Sequence, residues 1–252
     1  MDAVATIDKG SSAQLAAPRA RIGLIIPSVN TFSEPQFNRF APKGLGIHVA
    51  RARVAGPWKR PLPQMAPEIA TSAQLLADCA PDLIVFHCTD TSMSQGPQGE
   101  GKILDIVRDA TGIDAVATSR LVLDALQVLA LKRVALLTPY MSNKPIIDYL
   151  DASGVTVVRD VALKREPLDF GNVTPAQWTK LAQENDGPDV DGVFLSCTNT
   201  TQIDAIADIE AKLGKPVVNS NQAVLWGCLR RLGAALAPLP AMPELGRLMQ
   251  HM

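Results

Sequence analysis

The sequence predicts an α/β protein of two pseudo-symmetric lobes, each a mostly parallel sheet flanked by helices, with the functional site in the cleft between them. Three observations carry this. Strand-like runs at 21–26, 47–54, 82–87, 133–138, 155–161, 191–196 and 216–219 alternate with segments of helical periodicity, the pattern of βαβ units. Leu-Ile-Val-Phe-His-Cys88-Thr89-Asp90-Thr91-Ser92 is echoed 109 residues on (88 to 197) by Gly-Val-Phe-Leu-Ser-Cys197-Thr198-Asn199-Thr200-Thr201. Arg21-Ile-Gly-Leu-Ile-Ile-Pro27-Ser28-Val29-Asn30 is echoed 112 residues on (21 to 133) by Arg133-Val-Ala-Leu-Leu-Thr-Pro139-Tyr140-Met141-Ser142-Asn143. Two echoes of nearly equal offset imply related halves. Halves that face each other bring the two thiols together across a cleft.

The elements follow in order. Residues 1–20 hold Asp2, Asp8, Lys9 and small polar residues without a continuous apolar run, so a disordered leader is expected and a signal peptide is not. Residues 21–120 form the first lobe. Its Pro-rich stretch 57–64 reads as an ordered loop or lid. Met65, Ile69, Ala73, Leu76 and Cys79 recur at spacings of three and four, which predicts a helix over 65–79. The glycine-rich segment from Gly96 to Lys102 reads as a mobile loop. A helix over 101–110 ends at the C-cap signal Thr111-Gly112. Residues 121–220 form the second lobe, with helical segments at 119–131, 144–153, 175–185 and 202–213. Gly154, Gly214 and Gly233 follow three of the helical segments. Residues 221–252 begin with a helix over 221–232 expected to return to the first lobe.

Composition narrows the function. A chain of 252 residues, 47% hydrophobic, can bury a substantial core. Its net charge of −1 offers no electrostatic footprint for nucleic acid or an anionic membrane. No apolar stretch approaches the ~20 residues that span a bilayer, so a cytoplasmic protein is expected. Its four cysteines, Cys79, Cys88, Cys197 and Cys228, are then expected to be free. With no Cys-x-x-Cys pair and three histidines, a metal site is not expected. The Gly-x-Gly-x-x-Gly dinucleotide fingerprint and the Gly-x-Ser-x-Gly elbow are both missing.

The strand ends carry the chemistry. Ligands of parallel sheets bind beyond the carboxyl ends of the strands. Ser28, Asn30, Cys88, Thr89, Tyr140, Cys197 and Thr198 all fall there. A single strand cysteine is most often a buried structural residue, but two in matched Cys-Thr-x-Thr settings read as a catalytic pair. Helix-start amides beyond each strand are expected to lower the thiol pKa values. Short hydroxyl and amide side chains with such amides can hold a carboxylate, and the Tyr140 phenol can donate to one. Cys79 and Cys228 read as core. His87 precedes Cys88 on a strand and points to the opposite face, which excludes it as that thiol's base.

These motifs resemble the aspartate/glutamate racemase superfamily, and within it the maleate cis-trans isomerase and arylmalonate decarboxylase branch. The resemblance spans roughly 20–235. It rests on Ile-Pro-Ser28-Val-Asn30-Thr31, Cys88, Ala110-Thr111-Gly112, Thr-Pro-Tyr140, Leu-Ser-Cys197 and Pro216-Val-Val-Asn-Ser-Asn221. It implies a cofactor-independent isomerase of maleate or a related small mono- or dicarboxylate, with Cys88 and Cys197 as the catalytic pair. By the same resemblance Ser28, Asn30 and Tyr140 hold substrate carboxylates, and Thr198 supplies a backbone N–H. In the decarboxylase glycine replaces the first cysteine, so two thiols favour isomerase or racemase chemistry. A racemase, an arylmalonate-type decarboxylase and a non-catalytic binding protein are the alternatives, and self-association into a homo-oligomer stays open. One departure is Thr89-Asp90-Thr91-Ser92, where the isomerases tend to be apolar. If Asp90 faces the site, its charge repels a dianionic substrate.

Overall fold

The computed structural model describes residues 18–252, so most of the expected leader lies outside the described residues. Its last residues are held in place. The Arg19 guanidinium donates to the carbonyls of Leu236 (3.2 Å) and Ala237 (3.3 Å), and Ala20 opens the first strand.

The first half contains β1 (Ala20–Pro27), α1 (Ser33–Phe40), β2 (Leu45–Ala52), α2 (Leu62–Ala77), β3 (Leu83–Phe86), α3 (Thr89–Ser94), α4 (Gly96–Thr111) and β4 (Ala115–Ala117). The second contains α5 (Thr118–Val128), β5 (Arg133–Thr138), α6 (Lys144–Asp151), β6 (Thr156–Ala162), α7 (Pro175–Glu184), β7 (Gly192–Leu195), α8 (Ile206–Leu213), β8 (Val217–Asn219) and α9 (Ser220–Leu236). The sheets run β2-β1-β3-β4 and β6-β5-β7-β8, and every pairing is parallel. The same order of strands in both sheets is the structural counterpart of the two sequence echoes. Their central strands are apolar on both faces because helices cover both sides, as parallel sheets require.

The structure corrects several local expectations. The segment from Gly96 to Lys102 is not a loop. Gly96, at φ +64°, turns the chain out of α3, and Pro97 then starts α4 at a first-turn position where its missing N–H costs nothing. The segment after Cys88 is the short helix α3, and α1 follows the first strand. Both are too short and too polar to show helical periodicity. The helix expected over 202–213 is split into a 3-10 turn at Gln202–Ala205 and α8. The three-residue strand β4 carries no sequence signal of its own.

Two apolar clusters fill the interior. One lies on the α2/α4 side of the first sheet, built from residues such as Ile25, Ile69, Ile84, Phe86 and Val107. The other is continuous through both halves, running from Ile22, Leu24 and Val85 through Leu121 and Leu126 to Leu136, Phe194 and Trp226. The helix α9 lies against α5 and reaches α1 and β1. No helix among the described residues is long and apolar enough to cross a membrane.

Candidate active site

In each sheet the chain leaves the first strand to one side and returns on the other. A crevice therefore opens beyond the carboxyl ends of β1 and β3, and a second beyond β5 and β7. Ile25 pairs with Phe86, and Leu137 with Leu195, so Cys88 and Cys197 each sit two residues past an equivalent paired position. The two crevices face into one cavity of about 800 Å³. Its wall includes Pro27, Val29 and Asn30 after β1, Cys88 after β3, Tyr140 after β5, and Cys197, Thr198 and Asn199 after β7.

Both thiols are nearly buried, and burial keeps both protonated at neutral pH. Burial pushes Cys88 up to about 11. Asp90 adds to the rise, while hydrogen bonding to Thr91 and the Lys59 charge oppose it. Its Sγ donates to Thr91 Oγ1 at 3.2 Å, and that hydroxyl donates to the Val54 carbonyl at 2.7 Å. Burial likewise pushes Cys197 up to about 12, opposed by the Tyr140 hydroxyl and by the Asn199 backbone N–H, which donates to Sγ at 3.3 Å. The amides expected to lower the thiol pKa values are present, but desolvation outweighs them. Tyr140 is itself held above the usual phenol range by burial and by the two sulfurs and Asp90, so it is a proton donor at neutral pH. Its ring packs edge-on to Phe170, with centroids 5.6 Å apart.

The remaining sequence candidates divide. Asn30 and Thr198 line the cavity, but the Asn30 side chain is spent on holding the halves together. Its amide donates to the Thr198 carbonyl (3.2 Å) and hydroxyl (3.1 Å), and its Oδ1 accepts from the Phe32 and Ser33 N–H groups. Thr31 N–H reaches Asn199 Oδ1 across the same junction at 2.8 Å. Ser28 and Thr89 are not in the cavity wall. The Ser28 N–H is paired to the Ala52 carbonyl, and the Thr89 hydroxyl turns into the protein to donate to Ser220 at 2.8 Å. His87 is fully buried and bonded to Thr118, Ser33 and Asn221. Burial lowers its pKa to about 3, so it is neutral and faces away from the thiol, as the strand alternation requires.

Two cations beside the site have no signal in their own neighbourhoods. Asp90 does face the site, but Lys59 meets its carboxylate at 2.8 Å and offsets its charge. Arg165 lies in the wall and makes no ion pair among the described residues. Lys59 follows β2 and Arg165 follows β6. These strands occupy equivalent places in the two sheets, but the loops after them share no sequence echo, so only the sheet order relates the two cations. The two loops meet at the mouth: a Cβ on Gly56 would stand 3.2 Å from Pro167 Cγ.

The sequence profile of the arylmalonate decarboxylase family matches residues 22–244. The chain is 27% identical over 233 residues to a maleate isomerase of Geobacillus stearothermophilus, covering 86% of this chain and 93% of that one. It is 30% identical over 165 residues to the arylmalonate decarboxylase of Bordetella bronchiseptica, covering 64% and 68%. Among solved structures, a cysteine-to-serine mutant of Nocardia farcinica maleate cis-trans isomerase with a covalently bound succinylcysteine intermediate superimposes with a TM-score of 0.80 at 25% identity. That match covers 92% of this chain and 99% of that one. With the profile spanning nearly all of both sheets and the cysteine-bearing strand ends between them, the chain belongs to the arylmalonate decarboxylase family.

Proposed function

We propose that this protein is a cofactor-independent maleate cis-trans isomerase working through Cys88 and Cys197. The observation that carries the reading is the pair of thiols at equivalent strand ends in one cavity. The maleate isomerase relatives, and the succinylcysteine in one of their structures, support covalent chemistry at such a thiol.

The reaction needs the double bond of a cis-butenedioate to become single for long enough to rotate. The Lys59 charge favours the thiolate at Cys88 and is not felt at Cys197, so Cys88 is assigned the attack. Its thiolate forms a C–S bond to one alkene carbon. The π electrons move to the other carbon, where the adjacent carboxylate delocalises them. The Cys197 thiol gives that carbon a proton and becomes a thiolate. Rotation about the new single bond follows. Cys197 then takes a proton back, the π bond re-forms, and the C–S bond breaks to release the trans product and the Cys88 thiolate. Tyr140, a neutral donor, holds a carboxylate and also steadies the Cys197 sulfur when it carries charge. Arg165 holds the second carboxylate, and Asn30 fixes the Thr198 turn.

Proton NMR of the wild type with maleate should show fumarate appearing. Cys197→Ser should stall after attack and leave a succinyl adduct on the Cys88 peptide, readable by mass spectrometry. Cys88→Ser should leave none. An adduct found on Cys197 instead would exchange the two roles. Loss of carbon dioxide from phenylmalonate without fumarate formation from maleate would favour the decarboxylase reading.

A further inference from the structure

The cavity is far larger than maleate. A ligand pocket of about 800 Å³ suits a drug-sized molecule. Maleate has eight non-hydrogen atoms. Even at roughly 30 Å³ each, the share of a water molecule in the liquid, it fills less than a third of that volume.

The surplus space has a definite place and character. Cys88 stands at the start of α3 and Met93 near its end, about 7 Å further along the helix axis. Met93, Pro97, Pro145 and Tyr149 line the cavity there, contributed by α3, α4 and α6. The Tyr149 hydroxyl donates to Glu100 at 2.8 Å, which fastens α6 to the second turn of α4 and keeps the recess walls in register. Two polar groups beside the recess are already paired, and the Gln95 side chain at its edge is a neutral amide. Lys144 meets Asp148 at 2.8 Å, and the Ser94 hydroxyl donates to the Thr91 carbonyl at 3.1 Å. A recess walled by methionine, two prolines and a tyrosine ring, whose one cation is paired to Asp148, offers little to a carboxylate and much to an apolar group.

We infer that the preferred substrate is a cis-butenedioate carrying a bulky apolar substituent, aryl or branched alkyl, on one alkene carbon, and that the recess walled by Met93, Pro97, Pro145 and Tyr149 takes this substituent. The inference rests on the isomerase reading. Cys88 attacks the unsubstituted carbon, and the electron pair goes to the substituted one, whose group then lies in the recess. Each methylene that fills a hydrophobic pocket is worth about tenfold or more in kcat/KM.

The test compares isomerisation of maleate, 2-methylmaleate and 2-phenylmaleate by the wild type and by Ser94→Phe, which crowds the recess. The expected result is a kcat/KM for 2-phenylmaleate at least ~10-fold above that for maleate, and at least a ~10-fold fall of this ratio in Ser94→Phe. Inhibition gives a reading independent of turnover and of the variant's folding: phenylsuccinate should bind the wild type at least ~10-fold more tightly than succinate. Maleate isomerised faster than both substituted acids, or phenylsuccinate binding no better than succinate, overturns the inference and leaves the isomerase reading standing. If none of the three acids is isomerised, the isomerase reading fails and this one falls with it.

Discussion

Burial gives the two thiols a pH signature. Both have pKa values raised well above that of a free cysteine, to about 11 and about 12, so the thiolate is the minor form at pH 7. Each added pH unit raises its population about tenfold until the lower value is approached. In the isomerase mechanism kcat/KM should therefore climb steadily from pH 7 to pH 9 in initial-rate measurements, and a flat profile over that range would remove the free-enzyme thiolate as the attacking species. Arg165 makes a second test at this scale. A charged hydrogen bond to a carboxylate contributes ~1.5–3 kcal/mol, and the exposure of this side chain places it at the low end. Arg165→Ala should raise KM for maleate about tenfold while changing kcat little. Equal falls in kcat and kcat/KM would mean that the residue acts in the transition state instead.

At the level of elements, the helix α9 does more than cover the sheets. Asn219, at the end of β8, caps it. Its Oδ1 accepts from the Asn221 and Gln222 N–H groups, and Gln222 completes the capping box. The same side chain donates to the Leu195 carbonyl at 3.1 Å, two residues before Cys197. Asn219→Ala should cost about 1–2 kcal/mol of stability in urea titration, the usual value of a lost N-cap. Because the cap also anchors β7, the activity loss should exceed that of Thr174→Ala, which removes the exposed capping box of α7 outside the cavity wall. The strand β7 is equally constrained at its start, where a Cβ on Gly192 would stand 2.6 Å from the Pro216 carbonyl oxygen. That carbonyl is backbone and cannot give way. Gly192→Ala should destabilise the protein by ~1–3 kcal/mol, the cost of overpacking a filled interior, read as a lowered Tm.

Across the whole molecule, a buried polar network joins the two halves behind the site. Asn30, Ser33 and His87 from the first half meet Thr198 and Asn221 through hydrogen bonds between 2.8 and 3.2 Å. Low dielectric makes such a network strong when complete and costly when broken. Asn30→Asp would turn an amide donor into a carboxylate facing the Thr198 carbonyl. It should lose stability and kcat together, which circular dichroism and rate measurements on one preparation would show. His87 makes stability depend on pH. Its pKa falls from 6.5 to about 3 on folding, so the unfolded chain binds the extra proton and stability drops as pH falls below 6.5. Between pH 7 and pH 5.5 the loss from this group should be about 1 kcal/mol. Urea midpoints at the two pH values, compared with those of His87→Gln, would check it.

The duplicated strand ends were legible without coordinates. Parallel sheets buried on both faces produce continuous apolar runs, and the turn after each run repeats the same residues because it repeats the same position in the sheet. That much located Cys88, Cys197 and Tyr140 and named the branch. Short polar elements such as α1 and α3 stayed hidden, since six or eight residues hold too few apolar positions to show a period. Whether a strand-end hydroxyl faces the ligand or the protein was also beyond the sequence. Thr89 and Thr198 look equivalent in the chain, yet the packing of α9 draws Thr89 toward Ser220 and leaves Thr198 at the cavity. The sequence by itself determined the α/β class, the two-fold repeat and the thiol pair, because these follow from local pattern. Tertiary structure alone decided the thiol protonation, the Lys59–Asp90 pairing, the placing of Arg165 and the size of the cavity. Each of these depends on desolvation and on contacts between segments far apart in the chain, which no local pattern records.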